Sequence, residues 1–124
     1  MNKQANIDNT LLSNLCDEYK NNNHMDLSYL ERFDVKRGLR NADGSGVMAG
    51  ITNICNVHGY VMSEGEKIPD TGMLTYRGIN VRDIVSGCDR DDRFGYEEAA
   101  WLLLFGTLPD AQRLERFREL LSKC

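Results

Sequence analysis

Apolar residues recur at helical spacing in the first third of the chain. A helix from Asn9 or Thr10 to about Lys20 is predicted, because either polar residue can cap it and one of its sides is apolar. That apolar side consists of Leu11, Leu12, Leu15 and Tyr19. A shorter helix is predicted from residue 26 or 27 to residue 32, with apolar residues at Leu27, Leu30 and Phe33. We expect both apolar sides to dock on a larger body or a partner subunit.

The most apolar run of the chain is Ala99–Phe105. It is too short to cross a bilayer, which takes about 20 residues, but it suits a helix that is buried on nearly all sides. We expect this helix to begin at Gly95 or Tyr96, with Phe94 as a hydrophobic staple, and to end at Gly106. A chain of 124 residues has little with which to surround such a helix. The pattern therefore indicates that a larger body is missing.

A second helix is predicted directly after the apolar one. Leu108 and Pro109 separate the two helices, and Asp110 is in position to cap the second. Its apolar side consists of Leu114, Phe117, Leu120 and Leu121. Because the connection Thr107–Asp110 is short, the two helices are expected to pack as an antiparallel hairpin.

The middle of the chain has the composition of β-strands. Its β-branched and aromatic residues predict strands in Val47–Met62 and Met73–Tyr76, with turns at Ser63–Lys67 and Pro69–Gly72. We interpret this region as a small β-hairpin or a ribbon of two or three strands. Such a ribbon is marginal alone in water, so it should lie against helices.

A turn at Arg77–Gly78 is predicted to lead from the ribbon into a short helix. Asn80 is expected to cap the helix Val81–Val85, and Ser86–Gly87 to end it. Cys88–Arg93 then forms a charged surface loop. Arg77 is interpreted as structural, holding carbonyl groups or a carboxylate where the strand meets the helix.

The composition fits one soluble domain or a piece of one. Hydrophobic residues make up 41% of the chain, and 15 basic residues lie among 19 acidic ones, for a net charge of −4. No basic stripe is present, which argues against a nucleic-acid partner. No N-terminal stretch has the pattern of a secretory signal or an Arg-rich transit peptide. We therefore expect a cytoplasmic protein with neither a membrane nor a nucleic-acid partner.

The cysteines and histidines do not lie at the spacing of a metal site. Reduced thiols are expected for the four cysteines, which are Cys16, Cys55, Cys88 and Cys124. His24 lies in a run of asparagines, and His58 lies beside Gly59. Both histidines are interpreted as turn or surface residues rather than catalysts.

A loop rich in glycine and charge is predicted from Val35 to Val47. Its basic residues Lys36, Arg37 and Arg40 could together hold an anion. The loop matches neither Gly-x-Gly-x-x-Gly nor the Gly-Lys-Ser/Thr of a P-loop, so nucleotide binding on those templates is rejected. Taken by itself, the loop is interpreted as structural.

Two blocks carry a resemblance to a known family. They are Leu-Thr-Tyr-Arg-Gly-Ile-Asn-Val-Arg-Asp-Ile at residues 74–84 and Phe-Gly-Tyr-Glu-Glu-Ala-Ala-Trp-Leu-Leu-Leu-Phe-Gly-Thr-Leu-Pro at residues 94–109. In this order they resemble the N-terminal part of citrate synthase, where an Arg-Gly turn precedes a short helix and a buried helix that ends in Gly-x-Leu-Pro. The block Lys36–Val47 is similar to the leading segment of bacterial members. The resemblance covers roughly residues 35–121. It implies an N-terminal fragment, cut at Cys124, of a protein about three times longer.

The resemblance implies the reaction of the parent protein. A carboxylate removes a proton from the methyl group of acetyl-coenzyme A, histidines stabilise the enolate, and the enolate attacks oxaloacetate. Hydrolysis of the thioester then gives citrate and free coenzyme A, as in the tricarboxylic acid cycle. The family's catalytic histidines and aspartate lie in later segments. No catalytic residue is therefore assigned in this chain, and the fragment alone is expected to be inactive.

The resemblance also assigns one candidate binding residue. Gly38-Leu39-Arg40 matches by motif a segment whose arginine lies near the phosphates of coenzyme A, and the planar fork of arginine suits phosphate oxygens. Arg40 is therefore a candidate contact to a coenzyme A thioester, which is a substrate rather than a bound cofactor. No metal site is assigned. A homodimer is expected for the parent, because the resemblance implies one.

Three hypotheses from different classes remain. The first is an N-terminal fragment of a citrate synthase, with 2-methylcitrate synthase as a sister alternative. The second is a free-standing regulatory or interaction protein that kept only this scaffold. The third is an unrelated module that binds an anion or a nucleotide through the glycine-rich loop.

The expected architecture is mainly α, a helical scaffold segment of the citrate synthase fold with a small β-hairpin or ribbon. An N-terminal helical arm at residues 1–34 precedes the citrate synthase N-terminal region at residues 35–124. Apolar surface is expected to stay exposed on the Ala99–Phe105 helix, because the partners of that helix are absent.

Overall fold

The computed structural model describes residues 9–36, 40 and 43–124. That part of the chain holds five α-helices and a three-stranded antiparallel sheet with strand order β1-β2-β3. In chain order the elements are α1 (Asn9–Asn22), α2 (Ser28–Arg32), β1 (Cys55–Ser63), β2 (Glu66–Tyr76), β3 (Ile79–Asn80), α3 (Val81–Arg90), α4 (Tyr96–Phe105) and α5 (Ala111–Leu121). The prediction of a mainly α chain with a small β-hairpin is confirmed.

Helices α1, α4 and α5 form the helical core. Five buried residues make up its centre, namely Leu15, Trp101, Phe105, Phe117 and Leu120. The centroid of the Trp101 ring lies 4.4 Å from that of Phe105 and 5.3 Å from that of Phe117. Aromatic rings in this arrangement add to the stability that their buried area supplies. The predicted packing of α4 against α5 is confirmed.

The ends of α4 and α5 follow their local sequence. Asp110 Oδ1 accepts a hydrogen bond from Arg113 N at 2.8 Å, which caps α5 as predicted. Gly106 ends α4 with φ +85°, a left-handed conformation that glycine adopts without steric cost. Both boundaries were predictable because each depends on the residue that stands at the boundary itself.

The apolar sides of α1 and α2 are only partly covered. Leu15 of α1 belongs to the helical core, whereas Leu12 and Tyr19 are exposed. In α2, Leu30 is exposed, as are Leu27 and Phe33 on either side of the helix. The predicted division between residues 34 and 35 stays a prediction, although α1 contributes Leu15 to the core.

Strands β1 and β2 form a long hairpin with a tight turn. Glu64 and Gly65 connect them, both with positive φ, which is the type I′ turn favoured between antiparallel strands. Arg77 and Gly78 connect β2 to the two-residue strand β3 with the same signs of φ. Both of these turns were predicted at their positions. No residue of β1 or β2 is buried.

Two predictions about the strands are wrong. Pro69–Gly72 is not a turn, because β2 runs on through it and stays opposite β1. The register shifts between His58, which faces Met73, and Tyr60, which faces Pro69. Residues 70–72 therefore bulge opposite Gly59 instead of reversing the chain.

The other strand prediction fails at the beginning of β1. The region Val47–Ile54 is not a strand, because β1 starts only at Cys55. Thr52 Oγ1 accepts a hydrogen bond from Ile54 N at 3.1 Å. Such a local side-chain bond competes with strand pairing.

Helix α3 is longer than predicted. It continues through Ser86–Gly87 to Arg90, so Cys88 lies on a helix and is buried rather than part of a surface loop. A Cβ atom added to Gly95 would collide with Cys88 Sγ. The missing side chain of Gly95 therefore leaves the space that Cys88 occupies on the last turn of α3.

The residues before α4 also differ from the prediction. Phe94 is 90% exposed and is not a hydrophobic staple. The side chain of Arg93 instead forms an ion pair with Glu98 in the first turn of α4, and another with Asp91 at 3.2 Å. These charged contacts take the place of the predicted apolar one.

Candidate functional site

Arg40, the candidate coenzyme A contact, lies in an irregular loop on the surface. Its Nη1 donates a hydrogen bond to the carbonyl oxygen of Gly44 at 2.8 Å, and its backbone forms an isolated bridge with Gly46. Gly38 and Leu39, the other two residues of the predicted motif, lie outside the described residues, as does Arg37. The structure thus shows Arg40 exposed, with one of its nitrogens committed to its own loop.

Asp43 fixes the next part of this loop. Its Oδ1 accepts hydrogen bonds from Ser45 Oγ at 2.6 Å and from Ser45 N at 2.9 Å. These two bonds hold the pKa of the Asp43 carboxyl below its usual value, the hydroxyl bond being the larger cause. A negative charge therefore persists three residues from Arg40. A phosphate group that approached this loop would be attracted by Arg40 and repelled by Asp43.

A histidine–aspartate pair bridges the two long strands at the bulge. His58 Nε2 lies 2.8 Å from Asp70 Oδ2, and Asp70 Oδ1 accepts from Thr71 N at 2.7 Å. The bond with His58, followed by the bond from Thr71, holds the pKa of the Asp70 carboxyl below its usual value. The sequence interpretation missed this pair, since it placed Asp70 in a turn of its own.

A cleft of about 380 Å³ lies beside this pair, between the hairpin and the start of α3. Apolar side chains such as Val57, Met73 and Leu74 line it, together with His58 and Arg82. A histidine held by a carboxylate is also the arrangement that orients a catalytic base. Here both side chains are partly open to solvent, and the bond spans two strands. The hydrogen bond between His58 and Asp70 therefore holds β1 and β2 together at the bulge.

Arg77 connects the hairpin to the helical core. Its Nη2 donates to Leu103 O at 2.9 Å and to Asn23 Oδ1 at 2.8 Å, and its Nη1 donates to Asn53 Oδ1 at 3.1 Å. Asn23 in turn donates from Nδ2 to Leu104 O at 3.0 Å. Two carbonyl groups in the last turn of α4, those of Leu103 and Leu104, thereby receive hydrogen bonds. The prediction that Arg77 is structural and holds carbonyl groups is confirmed, but the carbonyl group of Leu103 belongs to α4 and not to the helix that follows the turn.

An open apolar groove runs along the helical core between α1 and the pair α4–α5. Its volume is about 390 Å³, and apolar side chains from all three helices line it almost entirely, among them Leu12, Tyr19, Leu104, Phe105 and Leu120. Leu104, in the middle of the most apolar run of the sequence, is 38% exposed. The expectation that α4 keeps exposed apolar surface is confirmed. A groove of this composition is typical of a surface that another apolar segment covers.

The described residues contain neither a metal site nor a membrane-spanning helix. Across 9–36, 40 and 43–124, no group of three or more His, Cys, Asp or Glu side chains is arranged to hold a metal ion. No helix in this part of the chain is both long enough and apolar enough to cross a membrane. All four cysteines are free, and only Cys88 is buried.

Comparison with known proteins gives a consistent result. The profile of a family described as "Citrate synthase, C-terminal domain" matches residues 39–124. The chain is 37% identical to 2-methylcitrate synthase 2 of Corynebacterium glutamicum over 86 residues, which are 69% of this chain and 17% of that protein. It is 34% identical to 2-methylcitrate synthase of Mycobacterium tuberculosis over 89 residues, 72% of this chain and 17% of that protein. The chain thus spans about a sixth of these relatives. No solved structure matches it.

Proposed function

The chain belongs to the citrate synthase family, and we propose that it is the N-terminal part of an enzyme that condenses acetyl-coenzyme A with oxaloacetate. The products are citrate and free coenzyme A. The observation that carries this proposal is the continuous family match over residues 39–124, which includes the turn, the short helix and the helical hairpin. We further propose a cytoplasmic bacterial parent that acts in the tricarboxylic acid cycle as a homodimer.

The open groove supports the proposal that this chain is a segment of a larger enzyme. Trp101, Leu102 and Phe105 are buried within this chain, but Leu104 of the same helix lies at the groove surface. An apolar groove that faces water is typical of a surface that packs against another part of a protein. In the parent, further helices would cover the groove and complete the core around α4.

A second candidate is 2-methylcitrate synthase. The two relatives described above both have this name and match at 34–37% identity. A 2-methylcitrate product has one methyl group more than citrate, so its acyl thioester is one carbon longer. One extra methylene in a pocket changes binding by only about 1–3 kcal/mol. The choice between these substrates would therefore depend on a few pocket residues, and none is assigned in this chain.

Within the proposed reaction this chain supplies scaffold and one candidate contact. We assign no general base, no enolate-stabilising histidine and no dicarboxylate-binding arginine to it. His58 is engaged with Asp70, and Arg77 with backbone and side-chain oxygens of three segments. Arg40 is proposed to reach the phosphates of coenzyme A by turning its guanidinium away from Gly44 O.

The function can be tested by comparing two proteins. One is the 124-residue chain, and the other is the product of its reading frame extended past the Cys124 codon. Each is supplied with oxaloacetate and either acetyl-coenzyme A or the thioester one carbon longer. Products should be followed by mass spectrometry, because the chain's own four free thiols would react with a thiol reagent.

The proposal predicts product from the extended protein and none from the chain alone. A higher kcat/KM for acetyl-coenzyme A supports citrate synthase, and a higher value for the longer thioester supports the second candidate. Product from the chain alone would show that it is not an incomplete fragment. No product from an extended, folded protein with either thioester would overturn the proposed function.

Arg40 is tested separately in the extended protein. Arg40→Ala is expected to raise the KM for the coenzyme A thioester while leaving the KM for oxaloacetate unchanged, since only the thioester has the phosphates. Lys36→Ala is the matched control, because Lys36 is a nearby cation that pairs with Asp34 at 2.9 Å. Equal thioester KM values for the Arg40 variant and the control would remove Arg40 from the site.

A further inference from the structure

A small cavity lies between α1 and α5, beside Trp101. Its volume is about 180 Å³. Asn14 and Glu18 line it from α1, Arg113 and Arg116 line it from α5, and Trp101 lines it from α4. The cavity therefore combines polar and charged side chains with an aromatic residue of the helical core.

Trp101 contributes a buried hydrogen-bond donor that has no acceptor. The side chain is only 2% exposed, and its Nε1 has no hydrogen-bond partner within the part of the chain that the structure describes. The neighbouring rings of Phe105 and Phe117 cannot supply one, because phenylalanine has no acceptor atom in its side chain. Buried donors are normally paired with the protein or with a bound molecule. An acceptor from a bound molecule is therefore expected at this atom.

The charges of the cavity favour an anion as the source of that acceptor. Two arginines and one glutamate line it, which leaves an excess of one positive charge. The guanidinium of Arg113 is only loosely paired, since its Nη1 lies 3.5 Å from Glu18 Oε1 and its Nε lies 4.0 Å from Asp110 Oδ2. Hydrogen bonds between ionised groups are normally about 2.7–2.9 Å long. Arg113 can therefore still bind a carboxylate at close range.

Asn14 adds a further donor beside this arginine. Its side-chain amide has no hydrogen-bond partner among the described residues. A carboxylate accepts hydrogen bonds at both of its oxygens, so it can receive bonds from the indole, the guanidinium and the amide together. A phosphate group would instead bring a charge of about −1.5 to −2 next to Glu18. The donor set therefore suits a carboxylate better than a phosphate.

We propose that this cavity binds a small carboxylate anion. One oxygen accepts from Trp101 Nε1, the other accepts from Arg113, and Asn14 donates to the bound group. The cavity is smaller than the roughly 300–1,000 Å³ of pockets for drug-sized ligands, so the anion has only a few carbon atoms. Because α1 forms one wall and α5 another, the bound anion holds α1 against the helical core. This inference does not depend on the proposed enzymatic function.

The single tryptophan of the sequence makes the site directly observable. A chain labelled with ¹⁵N gives one indole N–H signal in a ¹H–¹⁵N correlation spectrum. Sodium acetate, the probe, should shift the indole proton downfield in a saturable way, with a dissociation constant on the order of 1–10 mM for so small a ligand. Acetamide, which has the same shape without the charge, should bind at least about tenfold more weakly. Sodium chloride at equal ionic strength should give no saturable shift.

Three substitutions identify the groups that bind the anion. Arg113→Gln should raise the dissociation constant for acetate about tenfold or more. Its matched control on the same helix is Arg118→Gln, because Arg118 pairs with Glu97 and Glu115 and does not line the cavity. The control should leave the dissociation constant unchanged. Glu18→Gln removes the carboxylate that competes for Arg113, so it should lower the dissociation constant. Circular dichroism checks that each variant is folded.

Three results contradict the proposal. An indole signal that acetate does not shift would show that Trp101 Nε1 takes its acceptor from within the chain. A shift that acetamide or chloride reproduces at the same concentration would be an effect of solvent or ionic strength. Equal dissociation constants for Arg113→Gln and Arg118→Gln would remove Arg113 from the site. If Arg113→Gln did not fold, Glu18→Gln would decide, because an unchanged or higher dissociation constant in that variant also excludes the site.

Discussion

The helical core and the β1–β2 hairpin hold their structures by different means. The core buries its aromatic residues, including Trp101 and Phe117, and leaves one apolar groove open. The hairpin buries no residue and depends on its ladder, a type I′ turn and the His58–Asp70 bond. Each region is incomplete in its own way. Within the described part of the chain, the core leaves its groove open and strand β1 pairs with β2 alone.

This difference indicates which interactions determine stability in each region. Burial is worth roughly 25 cal/mol per Å² of apolar surface, so it concentrates stability in the core. Hydrogen bonds exposed to water contribute only about 0.5–1.5 kcal/mol each. We therefore expect the core to respond strongly to lost volume and the hairpin to respond weakly to any single change.

The largest expected effect is from Leu102→Ala. Leu102 is completely buried in α4, and loss of such a side chain costs about 2–5 kcal/mol. Leu104→Ala is the matched control on the same helix, where exposure should limit the loss to about 1 kcal/mol. Urea unfolding followed by circular dichroism measures both. If both variants lost the same free energy of unfolding, α4 would not be packed on one side only.

A smaller effect is expected where the two regions join. Arg77→Lys keeps the charge but loses the planar fork that reaches Leu103 O, Asn23 and Asn53 together. The free energy of unfolding should fall by about 1–3 kcal/mol, because the α4 carbonyl group is left without its donor. Hydrogen exchange should quicken in the hairpin before the core. Arg90→Lys, at a position paired only with Asp91, should change neither quantity.

The turn at the tip of the hairpin gives the next test. Gly65 has φ +84°, so Gly65→Ala should destabilise the hairpin by about 1–2 kcal/mol. Glu64 also has positive φ, and Glu64→Asn should stabilise the turn, since asparagine tolerates this conformation. Amide exchange in β1 should move in opposite directions in the two variants. If amide exchange in β1 changed in the same direction in both variants, that result would contradict a type I′ turn.

The smallest expected effect is the contribution of Asp70 to the pH dependence of stability. Its pKa is lowered in the folded chain, so its contribution is present above the unfolded value of about 3.9 and is lost as the pH falls through the folded pKa. Asp70→Asn should therefore lower stability at neutral pH and flatten the decline below about pH 4. His58→Phe should remove most of the same effect. A steeper acid decline in either variant would contradict this assignment.

The sequence was sufficient to predict local structure at positions where a single residue determines the backbone geometry. Asp110 capping α5, Gly106 ending α4 and the Arg77–Gly78 turn all belong to this group. It was insufficient to predict the end of a helix where a contact with a residue further along the chain outweighs the preference of the residue at that position. Gly87 suggested the end of a helix, but Cys88 packs against Gly95 and the helix continues.

The candidate site was less predictable than the fold. The His58–Asp70 pair exists only because a register shift brings residues twelve positions apart together. The pattern of residues along one strand does not indicate such a shift. Once the register of the two strands is known, however, a histidine facing an aspartate would suggest the pair. The structural role of Arg77 was predictable, but its partner was not, because Leu103 O belongs to α4 and lies 26 residues further along the chain. The binding role of Arg40 stays a prediction.

The position of Trp101 has an optical consequence. It is the single tryptophan of the sequence, and it is packed against Phe105 and Phe117. Its emission should lie at short wavelength in the folded chain and shift to the red only when α1, α4 and α5 separate. A chain whose hairpin melts first would show one transition in tryptophan emission and two in far-ultraviolet circular dichroism. The difference between the two curves would then isolate the behaviour of the sheet without any label.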